Sequence, residues 1–275
     1  MKAWVNGRIV DAAEARVSAF DHAFTVGDGV FETVKVTGGR AFALTRHLDR
    51  LTRSAVGLGL PLPDDVLLAL AVGEILAANA EVKEARLRIT VTGGPAPLGS
   101  DRGTGSPSLV LAMAPLAGWP AYADVVTVPW ARNERSATVG LKTTSYAENV
   151  VALTYAHERD AGEAIFGNTK GRLCEGTGSN IFVGLGGRLL TPPIASGCLA
   201  GITRDLVLQW LPDAVEEDLP EAALFQATEA FLTSSTRDIQ PIRRVDGRAL
   251  PAVPGTLTEK AMVVFAERAA DDLDP

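Results

Sequence analysis

One lysine stands apart from the other basic residues of this sequence. Lys142 is one of only six lysines in 275 residues, and it follows Gly140-Leu141 and precedes Thr143-Thr144-Ser145 and an apolar run. A lysine held in apolar surroundings loses its charge readily, and the neutral amine can form a Schiff base with a carbonyl. Because a solvated surface position is the commoner situation for a single lysine, this interpretation depends on the residues that accompany it.

Two further segments carry groups that could act with Lys142. Glu175 precedes the tight turn Gly176–Ser179, which leads into an apolar strand. A carboxylate on such a scaffold can pair with a ring nitrogen and keep it protonated, although a strand-end acid in water is the favoured explanation when Glu175 is taken alone. Ile202 and Thr203 follow Gly201 at the start of a predicted helix, where backbone N–H groups and a hydroxyl can bind an anion. An ordinary threonine cap is the alternative there.

Anion-binding groups occur at two more places. Arg46 lies in the first turn of a predicted helix, where the helix dipole disfavours a cation, so a bound anion explains its position better than a surface arginine does. The hydroxyls of residues 233–236, Ser235 among them, collect at the end of a predicted strand and could face phosphate. A lysine for an aldehyde, a carboxylate for a pyridine nitrogen and a phosphate cradle together predict a site for pyridoxal phosphate.

The elements that must position these groups are both strands and helices. Asn6-Gly7 and Gly38-Gly39 predict the turns of two hairpins in the first forty residues. Apolar periodicity predicts a helix from about Thr45 and another that Asp64 or Asp65 caps. Later helices are predicted at about 148–160, 203–210 and 257–269, with strands between them. Many hairpins mixed with helices favour an α+β fold over a doubly wound parallel sheet.

The segment around residues 114–123 is the best candidate for a linker, because proline, glycine and alanine replace the strand pattern there. We therefore predict a small N-terminal α/β domain at 1–114, a linker at 115–122 and a larger cofactor-binding domain at 123–275.

Composition excludes several other kinds of protein. A net charge of −7 and an isoelectric point near 5.1 disfavour a nucleic-acid surface and favour a small-molecule substrate. Two cysteines, Cys174 and Cys198, make neither a disulfide framework nor a metal site, so we expect both to be buried. The first residues lack a signal-peptide pattern, and the longest apolar run is too short for a bilayer. We predict a cytoplasmic protein that binds no metal, nucleic acid or membrane.

Six motifs, in order along nearly the whole chain, resemble the class IV (fold type IV) pyridoxal phosphate enzymes. They are DHAFTVGDGVFETVKV, LTRHLDRL, LKTTSYAENVVAL, CEGTGSNIF, LTPPIASGCLAGITR and EAFLTSSTRDIQPI. This family includes branched-chain aminotransferases, D-amino acid aminotransferases and aminodeoxychorismate lyases. The resemblance implies a small N-terminal α/β sandwich domain, a larger barrel-like C-terminal domain and a homodimer whose partner subunit completes the site.

The resemblance also implies roles for individual residues. Lys142 corresponds to the Schiff-base lysine, and Glu175 to the partner of the pyridine nitrogen. Tyr146 resembles the tyrosine that contacts the phenolic oxygen of the cofactor. The residues that would hold the phosphate are Arg46, Ile202, Thr203 and Ser235. Arg88 and Arg132 remain open candidates for contact with a substrate carboxylate.

Two positions bear on which member of the family this is. Thr33 stands where branched-chain enzymes usually carry glycine, D-amino acid enzymes valine and the lyases threonine, whose hydroxyl helps to protonate the departing enolpyruvyl group. Leu98 and Ser100 stand where D-amino acid aminotransferases carry an arginine and a histidine for the substrate carboxylate. Gly93-Gly94 replaces the Arg-Gly that is usual in the lyases.

These positions favour a lyase of folate biosynthesis that converts 4-amino-4-deoxychorismate to 4-aminobenzoate and pyruvate. Lys142 would act as its base and Thr33 as its proton donor. The alternative is a class IV aminotransferase that acts on branched-chain or D-amino acids with 2-oxoglutarate. A non-catalytic carrier of the cofactor is a third possibility, which the intact Lys142 and Glu175 disfavour.

Overall fold

The computed structural model describes residues 1–61 and 64–275, which form two compact units. The first unit comprises Met1–Ala117, Leu141–Tyr146 and Leu273–Pro275, and the second comprises Gly118–Gly140 and Ala147–Asp272. The segment that carries Lys142 thus packs with the N-terminal residues, although it lies far from them in the sequence. The domain boundaries at 115–122 stay a prediction. The chain passes between the two units after residues 117, 140, 146 and 272.

The first unit is a sheet covered by helices. Its described elements are β1 (Lys2–Val5), β2 (Arg8–Asp11), α1 (His22–Val26), β3 (Gly29–Thr37), β4 (Arg40–Ala41), α2 (Leu44–Leu58), α3 (Asp65–Ala78), β5 (Ala85–Thr92) and β6 (Leu109–Pro115). Among the described residues the strand order is β2-β1-β6-β5-β3-β4, with every neighbouring pair antiparallel. Leu51 of α2 and Ile75 of α3 pack in one apolar core with the inward residues of the sheet.

Strand β3 has two chemically different faces because successive side chains alternate. Val30, Val34 and Val36 point into the core beneath the helices. Phe31 and Thr33 point the other way, and Thr33 pairs directly with Arg88 of β5. We call the side that carries Phe31, Thr33 and Arg88 the outer face of the first sheet.

The second unit is built on a longer, mixed sheet. Its described elements are β7 (Ala123–Thr127), α4 (Ala147–His157), β8 (Glu163–Gly167), β9 (Leu173–Gly176), β10 (Asn180–Leu185), β11 (Arg188–Thr191), α5 (Ile202–Trp210), β12 (Ala214–Glu216), β13 (Glu229–Ser234), β14 (Asp238–Val245), β15 (Arg248–Ala249) and α6 (Thr256–Asp271). The strand order is β12-β11-β10-β13-β14-β7-β8-β9, and β15 pairs with β14.

This second sheet curls round on itself. Strand β9 ends the order, whereas β10 stands third from the opposite end, yet only residues 177–179 separate them in the chain. Gly176 N donates to Ser179 O across that turn at 2.7 Å. A flat sheet could not bring these two strands together, so the sheet must bend into a partial barrel.

These elements confirm the α+β fold that the sequence predicts. The hairpin turns at Asn6-Gly7 and Gly38-Gly39 are present, and Asp64 caps α3 by accepting from Leu67 N at 2.7 Å. Cys174 and Cys198 are both buried, as expected. Within the described residues, none of the helices has the length and apolar character needed to cross a membrane.

Candidate active site

Lys142 is held on the outer face of the first sheet by main-chain hydrogen bonds. Phe31 N donates to Lys142 O at 2.9 Å, and Thr144 N donates to Gly29 O at 2.8 Å, so the segment Leu141–Tyr146 runs along the start of β3. Lys142 N also donates to Ser54 Oγ of α2 at 3.1 Å. The backbone of this lysine is therefore fixed to two elements of the first unit.

The side chain of Lys142 lies against aromatic rings. Its Nζ is 4.5 Å from the ring centre of Phe31 and 5.9 Å from that of Tyr146. The two rings contact each other edge to face with 5.3 Å between their centres. The apolar environment that the sequence predicts for the lysine is thus supplied by Phe31 and Tyr146.

Arg88 shares the Phe31 ring with Lys142. Its guanidinium carbon lies 3.5 Å from the ring centre, and its strand position is directly opposite Thr33. Stacking on an aromatic face holds a guanidinium without occupying its N–H donors. This part of the outer face therefore carries two cations, two aromatic rings and the hydroxyls of Thr33 and Tyr146, a combination suited to a small anionic substrate.

A buried ionic network supports the opposite face of β3. Glu32 has no exposed surface and accepts from Arg50 Nε at 2.8 Å, from Arg50 Nη2 at 2.7 Å and from His47 Nδ1 at 2.6 Å. Burial alone would raise the pKa of Glu32, but Arg50 and His47 outweigh it and hold the pKa well below its usual value. Burial lowers the pKa of His47. The hydrogen bond and charge of Glu32 act in the opposite direction, and the nearby charges of Arg50 and Lys142 lower the pKa a little further.

The structure places Arg46 at the edge of this arrangement. Its Nε donates to Pro275 O at 2.5 Å, and Asp274 accepts from both the backbone and the hydroxyl of neighbouring Thr45. Arg46, Arg50 and Ser54 share one stripe of α2 because they recur at intervals of four. Since Ser54 contacts Lys142, Arg50 lies one turn nearer to the lysine than Arg46 does. Sequence reasoning missed Arg50 and gave His47 no role.

In the second unit, the carboxylate of Glu175 is held on two sides. Leu199 N donates to its Oε2 at 2.9 Å, and Arg132 Nε lies 3.3 Å from its Oε1. The side chain of Glu175 is 13% exposed, so it is shielded from most of the solvent. The structure thus fixes the carboxylate in a partly dry position, as a partner for a ring nitrogen requires.

The segment that follows Leu199 contains Ile202 and Thr203, which the sequence predicts to bind an anion. Helix α5 begins after Gly201 without a side-chain cap, and Ile202 and Thr203 are buried. A Cβ at position 201 would overlap Asn180 Oδ1, so only glycine fits there. The first N–H groups of the helix are therefore available at a point that a larger residue would fill.

Asn180 brings the hydroxyl-rich loop next to this helix start. Its Nδ2 donates to Leu199 O at 2.8 Å, and its backbone is paired with Thr233, two residues before Ser235. Thr233 Oγ1 is buried without a hydrogen-bond partner among the described residues. An unpartnered buried hydroxyl beside an uncapped helix start is what a phosphate site requires, so these residues fit the phosphate of pyridoxal phosphate.

The predicted site residues thus form two groups, each within one unit. The first unit brings together Thr33, Lys142 and Tyr146 around Phe31. The second unit brings together Glu175, Ile202 and Thr203 through residues 199–201, with Ser235 on the adjoining loop. Arg46 lies in the first unit, where its Nε donates to the carbonyl of the last residue of the chain.

Comparison with known proteins gives one consistent result. Residues 29–245 match the family described as amino-transferase class IV. A putative branched-chain-amino-acid aminotransferase from Methanocaldococcus jannaschii is 35% identical over 97% of this chain and 96% of its own length. A D-alanine aminotransferase from Bacillus licheniformis is 30% identical, with 96% of each chain covered.

Solved structures agree with these relatives. A branched-chain aminotransferase from Thermoproteus uzoniensis, crystallised with norvaline, superposes with a TM-score of 0.89 at 31% identity, covering 97% of this chain and 94% of its own. A hypothetical aminotransferase from Mycobacterium tuberculosis in its PLP-bound form gives 0.87 at 29% identity, covering 99% and 100%. These matches confirm the fold type IV architecture and pyridoxal phosphate as the cofactor. All four of these proteins are aminotransferases by name, so they support the predicted alternative better than the lyase.

Proposed function

Because the chain belongs to the class IV aminotransferase family, we propose that it is an aminotransferase that moves an amino group from a branched-chain amino acid to 2-oxoglutarate. The observation that carries this proposal is the position of the Lys142 side chain, held by backbone bonds on β3 and α2 and packed against Phe31 and Tyr146. Branched-chain substrates are favoured over D-amino acids because Leu98 and Ser100 replace the carboxylate-binding arginine and histidine. Leu98 is 74% exposed, and the nearby Arg102 is bound to Asp28.

Bound pyridoxal phosphate supplies an aldehyde that captures the amino group and a ring that withdraws electrons. Lys142 would supply the amine that holds the aldehyde, and its free amine would move the proton from the substrate Cα to the carbon that carried the aldehyde, the 1,3 proton shift that transamination requires. Tyr146 packs beside the lysine and offers a hydroxyl to the phenolic oxygen. Glu175, fixed by Leu199 N, holds the proton on the ring nitrogen.

The phosphate is held by the uncapped start of α5 at Ile202 and Thr203 and by Ser235. Of the two arginines of α2, Arg50 lies nearer to Lys142 than Arg46 does, and its planar group is fixed by Glu32. Arg88 binds the substrate carboxylate from its stacked position on Phe31. The homodimer and the cytoplasmic location that the sequence predicts belong to the same proposal.

The lyase remains a second candidate because of Thr33. Its half-buried hydroxyl lies on the outer face opposite Arg88 and beside Phe31, which suits a proton donor to a leaving enolpyruvyl group. Both reactions need Lys142 as a base and Glu175 as the partner of the cofactor ring nitrogen. They differ in whether a 2-oxo acid is consumed.

The experiment that tests the function is a comparison of three reactions of the cofactor-loaded protein. L-leucine with 2-oxoglutarate, D-alanine with 2-oxoglutarate, and 4-amino-4-deoxychorismate alone are each supplied, and glutamate or 4-aminobenzoate is measured. We expect glutamate from L-leucine, lost in Lys142→Ala and kept in Lys260→Ala, a surface lysine 56% exposed. Release of 4-aminobenzoate without a 2-oxo acid, with no glutamate from either amino acid, would contradict the aminotransferase and establish the lyase.

A further inference from the structure

Arg132 carries a buried polar atom that the fold does not satisfy. Its Nε has no hydrogen-bond partner among the described residues, although it lies 3.3 Å from Oε1 of Glu175. Burying a guanidinium N–H without a partner costs stability, so such a group generally has a role that retains it. The nearest acceptor is the carboxylate that we propose as the partner of the ring nitrogen.

The rest of the Arg132 side chain is held firmly. Its backbone N donates to Gly167 O at 2.8 Å, and its guanidinium lies over the Phe166 ring at 4.2 Å from the ring centre. Nη1 contacts Glu148 at 2.5 Å, and Nη2 donates to Asn149 Oδ1 at 3.0 Å. The planar group therefore has a fixed orientation that leaves its Nε edge toward Glu175.

The same contacts tie the start of α4 to the turn after Glu175. Asn149 accepts from Arg132 and donates through Nδ2 to Thr177 O at 2.7 Å. Glu148 contacts Nη1 of Arg132 and Glu175 lies near its Nε, so one guanidinium is shared by two carboxylates. Glu148 is 50% exposed and Glu175 is 13% exposed, which makes the inner carboxylate the one that depends more on the arginine.

We infer that Arg132 is a positioning residue of the cofactor site, which orients the Glu175 carboxylate toward the ring nitrogen, while Glu148 balances the charge of the arginine. This inference rests on the proposed role of Glu175. We assign Arg132 a role that acts through Glu175, with no contact of its own to substrate or cofactor. An arginine is required because a lysine cannot stack flat on Phe166 and contact two carboxylates in one plane.

The test measures cofactor binding and does not depend on turnover. Apoprotein is titrated with pyridoxal phosphate and, separately, with an analogue in which a C–H group replaces the ring nitrogen. Arg132→Met keeps an apolar stem over Phe166 but removes the charge. We expect it to weaken binding of pyridoxal phosphate by about 10-fold or more, as for loss of a charged hydrogen bond, and binding of the analogue by less than about 3-fold.

A double-mutant cycle tests whether the effect passes through Glu175. In a Glu175→Gln background, Arg132→Met should change the affinity for pyridoxal phosphate by less than about 3-fold. Glu148→Gln should change the ratio of the affinity for pyridoxal phosphate to the affinity for the analogue, whereas Glu158→Gln should leave this ratio unchanged. Glu158 is the matched control because it lies beyond the other end of α4 and contacts only the exposed Arg159 in the ion pairs described.

Equal losses for pyridoxal phosphate and the analogue, or an undiminished loss in the Glu175→Gln background, would overturn the inference and leave Arg132 a structural residue. If Arg132→Met does not fold, Arg132→Lys and Glu148→Gln are titrated with pyridoxal phosphate and with the analogue instead, and the same two outcomes would overturn the inference. If the wild-type protein binds pyridoxal phosphate more tightly than the analogue but transfers no amino group, the result would contradict the proposed function alone. A transaminating protein with no nitrogen-dependent effect of Arg132→Met would contradict this inference alone.

Discussion

Arg50 donates to both carboxylate oxygens of Glu32, at 2.8 and 2.7 Å, in the interior of the first unit. Glu32 lies between Phe31 and Thr33 on β3, so this pair fixes the strand whose opposite side carries the candidate site. The bidentate geometry also fixes the rotation of α2 over the sheet. A buried ion pair of this kind is valuable mainly for the arrangement it enforces, since its net contribution to stability is offset by desolvation.

Removal of the Glu32 charge should therefore destabilise the protein strongly. Glu32→Gln leaves Arg50 buried without its counter-charge, and we expect a loss of about 3–5 kcal/mol in the free energy of unfolding. Urea denaturation at neutral pH measures it. Asp11→Asn is the control, because Asp11 pairs with Lys2 at an exposed position and its loss should cost less than about 1 kcal/mol. Equal effects of the two variants would contradict this account of the network.

A second prediction concerns the loop that contains Leu98 and Ser100. His22 is buried, with Nδ1 at 2.8 Å from Asp28 and Nε2 at 2.9 Å from Gly99 O, so both ring nitrogens face acceptors. The hydrogen bond to Asp28 and that to Gly99 raise the pKa of His22. The folded state therefore binds the proton more tightly than the unfolded chain does. The stabilisation is complete below the usual histidine pKa near 6.5 and is lost as pH rises through the folded value.

We thus expect the difference in urea midpoint between wild type and His22→Gln to be larger at pH 5.5 than at pH 8.5. His157→Gln, at an exposed position in the last turn of α4, is measured alongside as a substitution of a surface histidine. A difference that grows with pH would show that His22 is held neutral, contrary to the contacts. Asp28 and Arg102 are the charged groups that face His22 in this network.

Local sequence patterns were sufficient for many of the helices, strands and turns. Turn residues with positive φ, such as Gly38 and Gly39, fix a hairpin through backbone sterics, and Asp64 fixes a helix start through its own side chain. Helix α5 begins within one residue of its predicted start at Thr203. These features depend on neighbours in the chain, which a sequence displays directly.

Long-range contacts were not predictable in the same way. Nothing near Lys142 in the sequence indicates that its backbone joins β3 at Phe31, more than a hundred residues away. Neither His47 nor Arg50 signals burial, because charged residues on a helix are ordinarily solvated. A glutamate in an apolar strand, with a histidine and an arginine three residues apart on the next helix, was the available clue. The contact of Arg46 with the last residue of the chain also has no sequence signal.

The third prediction assigns substrate affinity to Arg88. Arg88→Met keeps contact with the Phe31 ring but removes the guanidinium that we propose binds the substrate carboxylate. Loss of a charged hydrogen bond should raise the KM for the amino acid by about 10-fold to 100-fold, with a smaller effect on kcat. Arg86→Met is the control, because Arg86 lies on the same strand opposite Lys35, two residues further from Phe31. A fall in kcat with unchanged KM would contradict the proposed role.

The last prediction tests the anion cradle at α5. A methyl group at position 201 would overlap Asn180 Oδ1, so Gly201→Ala must displace the side chain that links Leu199 to β10. The displacement should reach the helix start at Ile202, and we expect affinity for the phosphorylated cofactor to fall by about 10-fold or more, the effect of losing at least one charge-assisted hydrogen bond.

Gly178→Ala is the matched control for that substitution. Gly178 belongs to the turn just after Glu175, but no atom lies within 4 Å of a Cβ built there, and its φ is not in the left-handed region. Cofactor affinity should therefore stay within about 3-fold of wild type, a change well below that of one charged hydrogen bond. The wild-type, Gly201→Ala and Gly178→Ala apoproteins are each titrated with pyridoxal and with pyridoxal phosphate, which distinguishes a loss of phosphate binding from a loss of ring binding. If the cradle binds phosphate, Gly201→Ala weakens the phosphorylated form selectively, and an equal loss for both forms would mean that the substitution disturbs the ring-binding residues instead.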